Sequence, residues 1–474
     1  MFVDFSCIKN KEKIFDELIL YSFYNPIIQY SMPLLMLKVF LSTIAGTIVS
    51  VVVGCLPAMH VYNVATLLIV FYAAVSKSVL GSDPYVMMPF MMGLVVGWAI
   101  LNTIPTVFLG APDESSMLMV FPTQKYLMQG RGYEAVALTA VGALGGIICL
   151  LGVSPFLPKF MPIARRVVGP NIFWILMLVI AYMVMSEFPK GGDHGDTRFA
   201  RLLDAWKSLS AGILTLLLSG WLGFILIRKP VTAEFAFSNI MPAFIGLFGV
   251  PWVIQNIISG TEVPKQYFPK TIDCNGFVVF RGVSAGFLGG FFAAFFPIVT
   301  GGIGGLLAGH ATAQNDERSF IISQGTSKVV YYVGAFLLFF VPMANITRGG
   351  LANMMRTMFV PRGVADYYMI LGAVAVSGAL AFILLGVMSK VTIWLITRID
   401  YRYASIAALL FMVGIVLGIT GLQGFLLMVV ATGIGMIPVI FHSRRSNCMG
   451  VLLIPVALDM AGYGPAIAKF MGLT

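Results

Sequence analysis

Long apolar stretches recur along the whole chain, at about 34–56, 86–109, 135–155, 167–187, 208–227, 237–259, 282–299, 320–343, 364–388, 403–420, 422–441 and 449–467. Runs of roughly twenty apolar residues span about 30 Å of hydrocarbon as α-helix, at 1.5 Å per residue. The stretches are helical in length and lack the short alternation of barrel strands. The pattern therefore predicts an all-α polytopic membrane protein with about 12 transmembrane helices.

Two apolar runs are shorter, at 61–75 and 302–309. Each is entered through a bend, Gly54-Cys55-Leu56-Pro57 in one and Pro297-Ile298-Val299-Thr300-Gly301-Gly302 in the other. A backbone broken at membrane depth leaves N–H and C=O groups that lipid cannot satisfy. Such breaks belong where protein buries them or where they line a polar cavity. They predict two re-entrant or broken half-helices. Pro57 and Pro297 lie 240 residues apart, and Leu109-Gly110-Ala111-Pro112 falls opposite Gly349-Gly350-Leu351-Ala352 at the same offset. Arg131-Gly132 with Glu134 matches Arg362-Gly363 with Asp366 at an offset of 231. Three landmarks in order predict a two-fold internal repeat, inverted as in secondary transporters with paired broken helices. The chain divides accordingly into an amphipathic lead-in (1–30), a first transmembrane repeat (31–190), a connecting loop with linking helices (191–280), and a second repeat with C-terminal helices (281–474).

Composition narrows the function. The chain is 59% apolar and 11% charged, less than half the usual charge of a soluble domain. That excludes soluble enzymes, disordered chains and disulfide scaffolds. The net charge of +10 fits loops facing anionic membrane lipid, and no basic tract with interleaved aromatics points to nucleic acid. Five cysteines without a CxxC offer no zinc or redox motif. No P-loop, GxSxG or HExxH is present, so the expectation is a protein that is not an enzyme and has no catalytic residue, resident metal or organic cofactor.

Polar residues gather at the breaks. His60, Tyr62 and Asn63 follow Pro57; Thr300, His310, Thr312, Gln314, Asn315 and Asp316 follow Pro297. A helix that begins inside the membrane offers free N–H groups and a positive dipole end to an anion, and glycine lets the backbone approach closely. Pro57, His60, Asn63, Thr300, Gly301, Gly302, His310 and Asn315 are thus candidate ligands of a carboxylate or phosphate. A third cluster holds Asn102, Thr103 and Pro105, then Pro112, Asp113, Glu114 and Ser115. Ionisable groups at membrane depth are costly and functional by default, so Asp113 or Glu114 would bind a coupling ion (Na+ or H+) or pair a base. Lys328, among Ser323, Gln324, Thr326 and Ser327, either neutralises an anion or snorkels to the interface. Arg348 has the same two readings.

These residues carry a resemblance. Gly54-Cys55-Leu56-Pro57-Ala58-Met59-His60-Val61-Tyr62-Asn63, Ile104-Pro105 through Asp113-Glu114 and on to Gly130-Arg131-Gly132-Tyr133-Glu134-Ala135, and Ser443-Arg444-Arg445-Ser446-Asn447-Cys448-Met449-Gly450 through Pro455 resemble the archaeal-type branch of the large permease subunit of the tripartite tricarboxylate transporters. The matches spread from about 45 to 456. The resemblance implies a multi-pass permease in the plasma membrane of a prokaryote, working without ATP and importing a carboxylate by ion coupling. It also implies a small membrane subunit and an extracytoplasmic binding protein as partners. A homodimer is a further expectation.

Ala58 stands where that branch has glycine, and the second bend reads Pro-x-x-x-Gly-Gly, which resembles the bend of polyprenyl-phosphate translocases. The leading expectation is a secondary transporter of an anionic organic solute bound at the two bends. A translocase of a polyprenyl-phosphate-type lipid carrier is the alternative. A membrane-embedded component of envelope polymer assembly is the second.

Overall fold

The computed structural model describes residues 26–57, 59–60, 84–187, 197–229, 240–260, 262–269, 271–272, 274–296, 299–314, 316–342, 344, 346–347, 352, 355–356, 359–361 and 363–473. The amphipathic lead-in before residue 26 and the run 61–75 lie outside them, as do Asn63, Pro297, Asn315 and Arg348.

Among the described residues all regular structure is helical. The first half holds α1 (Pro26–Cys55), α2 (Pro84–Leu101), α3 (Thr103–Phe108), α4 (Met117–Met128), α5 (Gly132–Val153), α6 (Leu157–Val168) and α7 (Ile172–Met185). There follow α8 (Arg198–Arg228), α9 (Ile240–Phe244), α10 (Val250–Ser259), α11 (Gly276–Phe295), α12 (Gly301–Ala311), α13 (Glu317–Phe340), α14 (Val364–Ile396), α15 (Tyr401–Ile440), α16 (Gly450–Met460) and α17 (Gly464–Phe470). Polar side chains set several starts: Asn275 Oδ1 accepts from Val278 N–H at 2.8 Å, and Asp400 Oδ1 from Arg402 N–H at 2.8 Å.

Where the structure describes them, the twelve apolar stretches fall largely on helix, but eight helices among the described residues are long and apolar enough to cross a membrane, or nine with the bent pair near the C-terminus. The expected twelve therefore differ from the crossings that length and hydropathy alone identify. The span Gly132–Met185 holds two stretches, and α15 holds two more, separated by Gly421 at φ 67°. The stretch 320–343 lies largely on α13, whose serines, glutamine, threonine and lysine lower its hydropathy. The last stretch is bent by 107° between α16 and α17.

Without a hydrophobic drive between helices in lipid, close backbone contact does the work of association. On α11, Gly282, Gly286 and Gly290 repeat every four residues, and a Cβ on any of them would strike α13 between Ser319 and Val330. Thr326 Oγ1 of α13 donates to the Gly142 carbonyl of α5 at 2.7 Å. These contacts put α13 at the centre, and nearly all of it is buried. The outward faces stay apolar, with Trp174, Trp221, Trp394 and many leucines exposed.

Between α11 and α13 the chain doubles back. Phe296 leaves α11 in extended conformation, and Thr300 opens α12 at ψ 161°. The helix α12 then runs antiparallel to α11, with Gly304 against Gly289, until Arg281 of α11 donates to the Thr312 carbonyl at 2.6 Å. Its eleven residues reach only about 16 Å. The first turn of α12 lands beside the loop between α3 and α4, which is where the buried charges are.

Candidate functional site

The loop is built to hold carboxylates indoors. The α3 helix ends in Gly110 at φ +61°, a left-handed turn that glycine makes at no steric cost. Ala111 N–H then donates to the Pro105 carbonyl at 3.0 Å. Pro112, Glu114, Ser115 and Ser116 are buried. Asp113 Oδ1 accepts from Ser116 N–H at 2.8 Å and also from the Ser116 hydroxyl, which contacts Thr106 Oγ1 at 3.1 Å. Asp113 is thereby fixed just ahead of α4.

Facing this loop, α13 presents two polar groups one turn apart. Lys328, 1% exposed, donates to Asn102 Oδ1 at 2.6 Å and lies 3.6 Å from Asp113 Oδ1. It does not snorkel: its stem and ammonium are both enclosed, 5.5 Å from the Trp98 ring. The Tyr332 hydroxyl sits 2.8 Å from Asp113 Oδ2 and 2.7 Å from Glu114 Oε1. His60 completes the group, with Nε2 at 3.3 Å from Glu114 Oε1 and 3.4 Å from the Tyr332 hydroxyl. Its ring packs 4.7 Å from Trp98, whose indole N–H donates to the Met59 carbonyl at 2.8 Å. The short segment after Pro57 is thus pinned by Trp98.

The chemistry follows from proton counting. A phenol has one hydrogen, yet Tyr332 is within hydrogen-bond reach of two carboxyl groups. It can donate fully to only one of them, and a proton on the other would let that acid donate to the phenol in turn. The two carboxylates and His60 offer ligand atoms within 4.8 Å of one another. At that spacing two like charges repel by about 3.5 kcal/mol at an effective dielectric near 20. Lys328 balances one negative charge; a proton shared among Glu114, Tyr332 and His60 would balance the other. The same three ligand atoms could hold a cation, but the Lys328 ammonium beside Asp113 opposes a second fixed positive charge there.

The first turn of α12 closes one side. Thr300 Oγ1 donates to the Glu114 carbonyl at 3.4 Å, and a Cβ on Gly302 would lie 2.8 Å from the Ser115 carbonyl. Ser327 Oγ holds the Gly301 carbonyl at 2.6 Å. The opening N–H groups of α12 have no helical acceptor. Ser115 Oγ has no hydrogen-bond partner, nor does either amide atom of Gln324 on α13.

Of the sequence candidates, the structure brings together His60, Asp113, Glu114, Ser115, Thr300, Gly301, Gly302 and Lys328. Pro57 is buried at the first bend, and Pro112 is buried in the loop between α3 and α4. His310 is elsewhere, at the far end of α12, where it bonds the Tyr182 hydroxyl. Trp98, Asn102, Ser116 and Tyr332 were not among the predicted ligands. The signal for them was spacing: Tyr332 follows Lys328 by four residues and Asn102 follows Trp98 by four, one helical turn in each case.

One curated relative, "Uncharacterized protein MJ1079" from Methanocaldococcus jannaschii, is 25% identical over 431 residues, covering 88% of this chain and 97% of the relative. No solved structure matches. The model of the tripartite tricarboxylate transporter TctA family matches residues 40–450. A transporter family and many apolar helices make this chain a multi-pass component of a membrane transport system, not an enzyme. By that match, the chain belongs to the tripartite tricarboxylate transporter TctA family.

Proposed function

We propose that this chain is a secondary-active permease for an anionic organic solute, a carboxylate, whose movement is coupled to a proton held by Glu114, Tyr332 and His60. One observation carries the proposal: a single phenol lies within bonding distance of two buried carboxyl groups, beside the opening turn of a helix too short to span. Charge in a low-dielectric interior must be neutralised or it is not tolerated. With the proton bound, the cluster is balanced and the α12 amide groups remain to meet an anion. When the proton leaves, the two carboxylates repel each other and any anion beside them. Loading and release of proton and solute are thus linked through one set of side chains. The small membrane subunit and extracytoplasmic binding protein of tripartite systems are the partners this reading supplies.

The test is uptake of labelled citrate and succinate by proteoliposomes of the purified chain, with and without its partner subunits, under an imposed pH gradient or sodium gradient. Uptake should follow the pH gradient. Glu114→Gln and Tyr332→Phe should retain counterflow exchange while losing gradient-driven accumulation. Accumulation driven by sodium alone, or left intact in both variants, would reject the proton assignment.

A further inference from the structure

A second polar cluster, away from Asp113, has the opposite character. Between α15 and α16 the chain makes a tight turn with a 3-10 segment at Arg445–Met449. Ser446 and Asn447 are each 1% exposed. The Ser446 hydroxyl, both amide atoms of Asn447, the Ser443 hydroxyl and one terminal nitrogen on each of Arg444 and Arg445 are buried without a hydrogen-bond partner. The indole N–H of Trp252 on α10 is likewise unpartnered. Such atoms are few in a folded protein, and each needs an explanation. Seven at one turn and the ring against it exceed what packing alone produces.

The set is rich in donors and in positive charge. The Arg445 guanidinium lies over the Trp252 ring, with its carbon 3.6 Å from the ring centroid. One terminal nitrogen reaches Gln255 Oε1 at 3.3 Å; the other points to nothing. Stacking fixes the plane of the guanidinium, and a guanidinium fixed in plane binds a carboxylate or phosphate with two parallel bonds. Glu187 is the acid at this turn: it accepts the Arg444 main-chain N–H at 2.6 Å. Among the described residues, two guanidinium groups and the one carboxylate bonded to this turn leave an excess positive charge.

We propose that the Ser443–Asn447 turn is an oxyanion-binding site, holding one carboxylate or phosphate group against Arg444, Arg445, Ser446 and Asn447. The group comes either from a soluble solute or from a lipid headgroup. The turn is linked to the buried cluster through α7 and α12: Glu187, just past α7, holds Arg444, and Tyr182 on α7 bonds His310 at the end of α12. A solute anion held at the turn would thus be connected, through α7, to the end of α12 opposite Thr300. As a staging site it rests on the permease reading; as a binding site it does not.

The experiment uses the full chain in nanodiscs of zwitterionic lipid, with citrate and inorganic phosphate as probes and ligand-induced thermal shift and equilibrium binding as readouts. Wild type should bind at least one probe, and Arg445→Gln and Arg444→Gln should weaken it at least tenfold, with Arg445→Lys intermediate because charge remains while the fork is lost. Nanodiscs containing phosphatidic acid form the second arm. A shift there, lost in the same variants and absent with soluble probes, assigns the site to a lipid headgroup. Should the arginine variants fail to fold, Ser446→Ala and Asn447→Leu carry the test with the same expected loss. Equal response of wild type and all folded variants in both arms overturns the site. Anion uptake that proceeds at wild-type rates in Arg444→Gln and Arg445→Gln removes the staging role and leaves the permease reading standing. Variant-sensitive binding in a chain that transports no organic anion does the reverse.

Discussion

The two polar regions of this membrane protein differ in how far their hydrogen bonds are made. Around Asp113, the ionisable groups are all paired, Lys328 with Asn102 and Asp113, Tyr332 with both acids, His60 with Glu114, and the unmet atoms are those of Ser115 and Gln324 beside them. Around Ser443–Asn447, donors and acceptors are buried and empty-handed. A buried polar network that is fully connected rigidifies its surroundings, whereas an unmade bond carries the whole desolvation cost. The first region therefore stores charge within the protein. The second is incomplete without something that is not protein. On the proposed reading the first changes its protonation and the second receives a ligand, and the two answer to substitution with opposite signs.

The sharpest contrast lies in charge removal. Asp113→Ala strips Lys328 of its nearest counter-charge, 3.6 Å away in a site almost closed to solvent. Breaking a buried pair from one side costs about 3–5 kcal/mol, so thermal melting of the solubilised variant should fall steeply. Asp113→Ala combined with Lys328→Met should recover much of that loss, because the uncompensated charge goes with its partner. A double variant as unstable as the sum of the singles would show that the two residues do not act as a pair.

Smaller effects test the backbone approach at α12. Gly302→Ala would bring a methyl to 2.8 Å from the Ser115 carbonyl, and overpacking of that kind costs about 1–3 kcal/mol. It should also impair uptake, since the first turn of α12 would be pushed off the Glu114–Ser115 backbone. Tyr332→Phe removes the hydroxyl that bonds both Asp113 and Glu114. Leaving buried acceptors unmet costs about 1–3 kcal/mol, visible as a lower melting temperature alongside the uptake phenotype.

Much of this site was legible in the sequence, and the part that was not has a physical reason. Bends announce themselves through proline and glycine, and acids among apolar residues announce themselves through cost, so His60, Asp113, Glu114, Thr300 and Gly302 could be picked out singly. Which of them meet depends on α12 folding back along α11, and no local pattern encodes that. His310 was grouped with Gly302 because they share a short helix, but its opposite end bonds Tyr182. Lys328 had two readings because a lysine stem reaches either way; burial of α13 on all sides decided between them. Tyr332 hid among aromatic packing residues until Lys328, one turn earlier, gave it a face. The span count is harder still, since α15 reads as two stretches and only the Gly421 dihedral separates one long helix from two.

The smallest expected change in stability is the most informative. Asn447 buries two amide atoms with no partner, beside Gly212 of α8 and the Glu187 side chain. Leucine has nearly the same shape and no polar atoms to strand. If the turn were an ordinary packed loop, the asparagine would already be satisfied and Asn447→Leu would lower the melting temperature of the ligand-free protein. If its bonds are reserved for an oxyanion, the substitution relieves a desolvation cost, and the ligand-free protein should melt at the same temperature as wild type or slightly higher. The two outcomes separate by sign, so even a shift of a degree or two decides. Addition of citrate, phosphate or phosphatidic acid should then restore wild type to the advantage, because only wild type gains the ligand's binding energy.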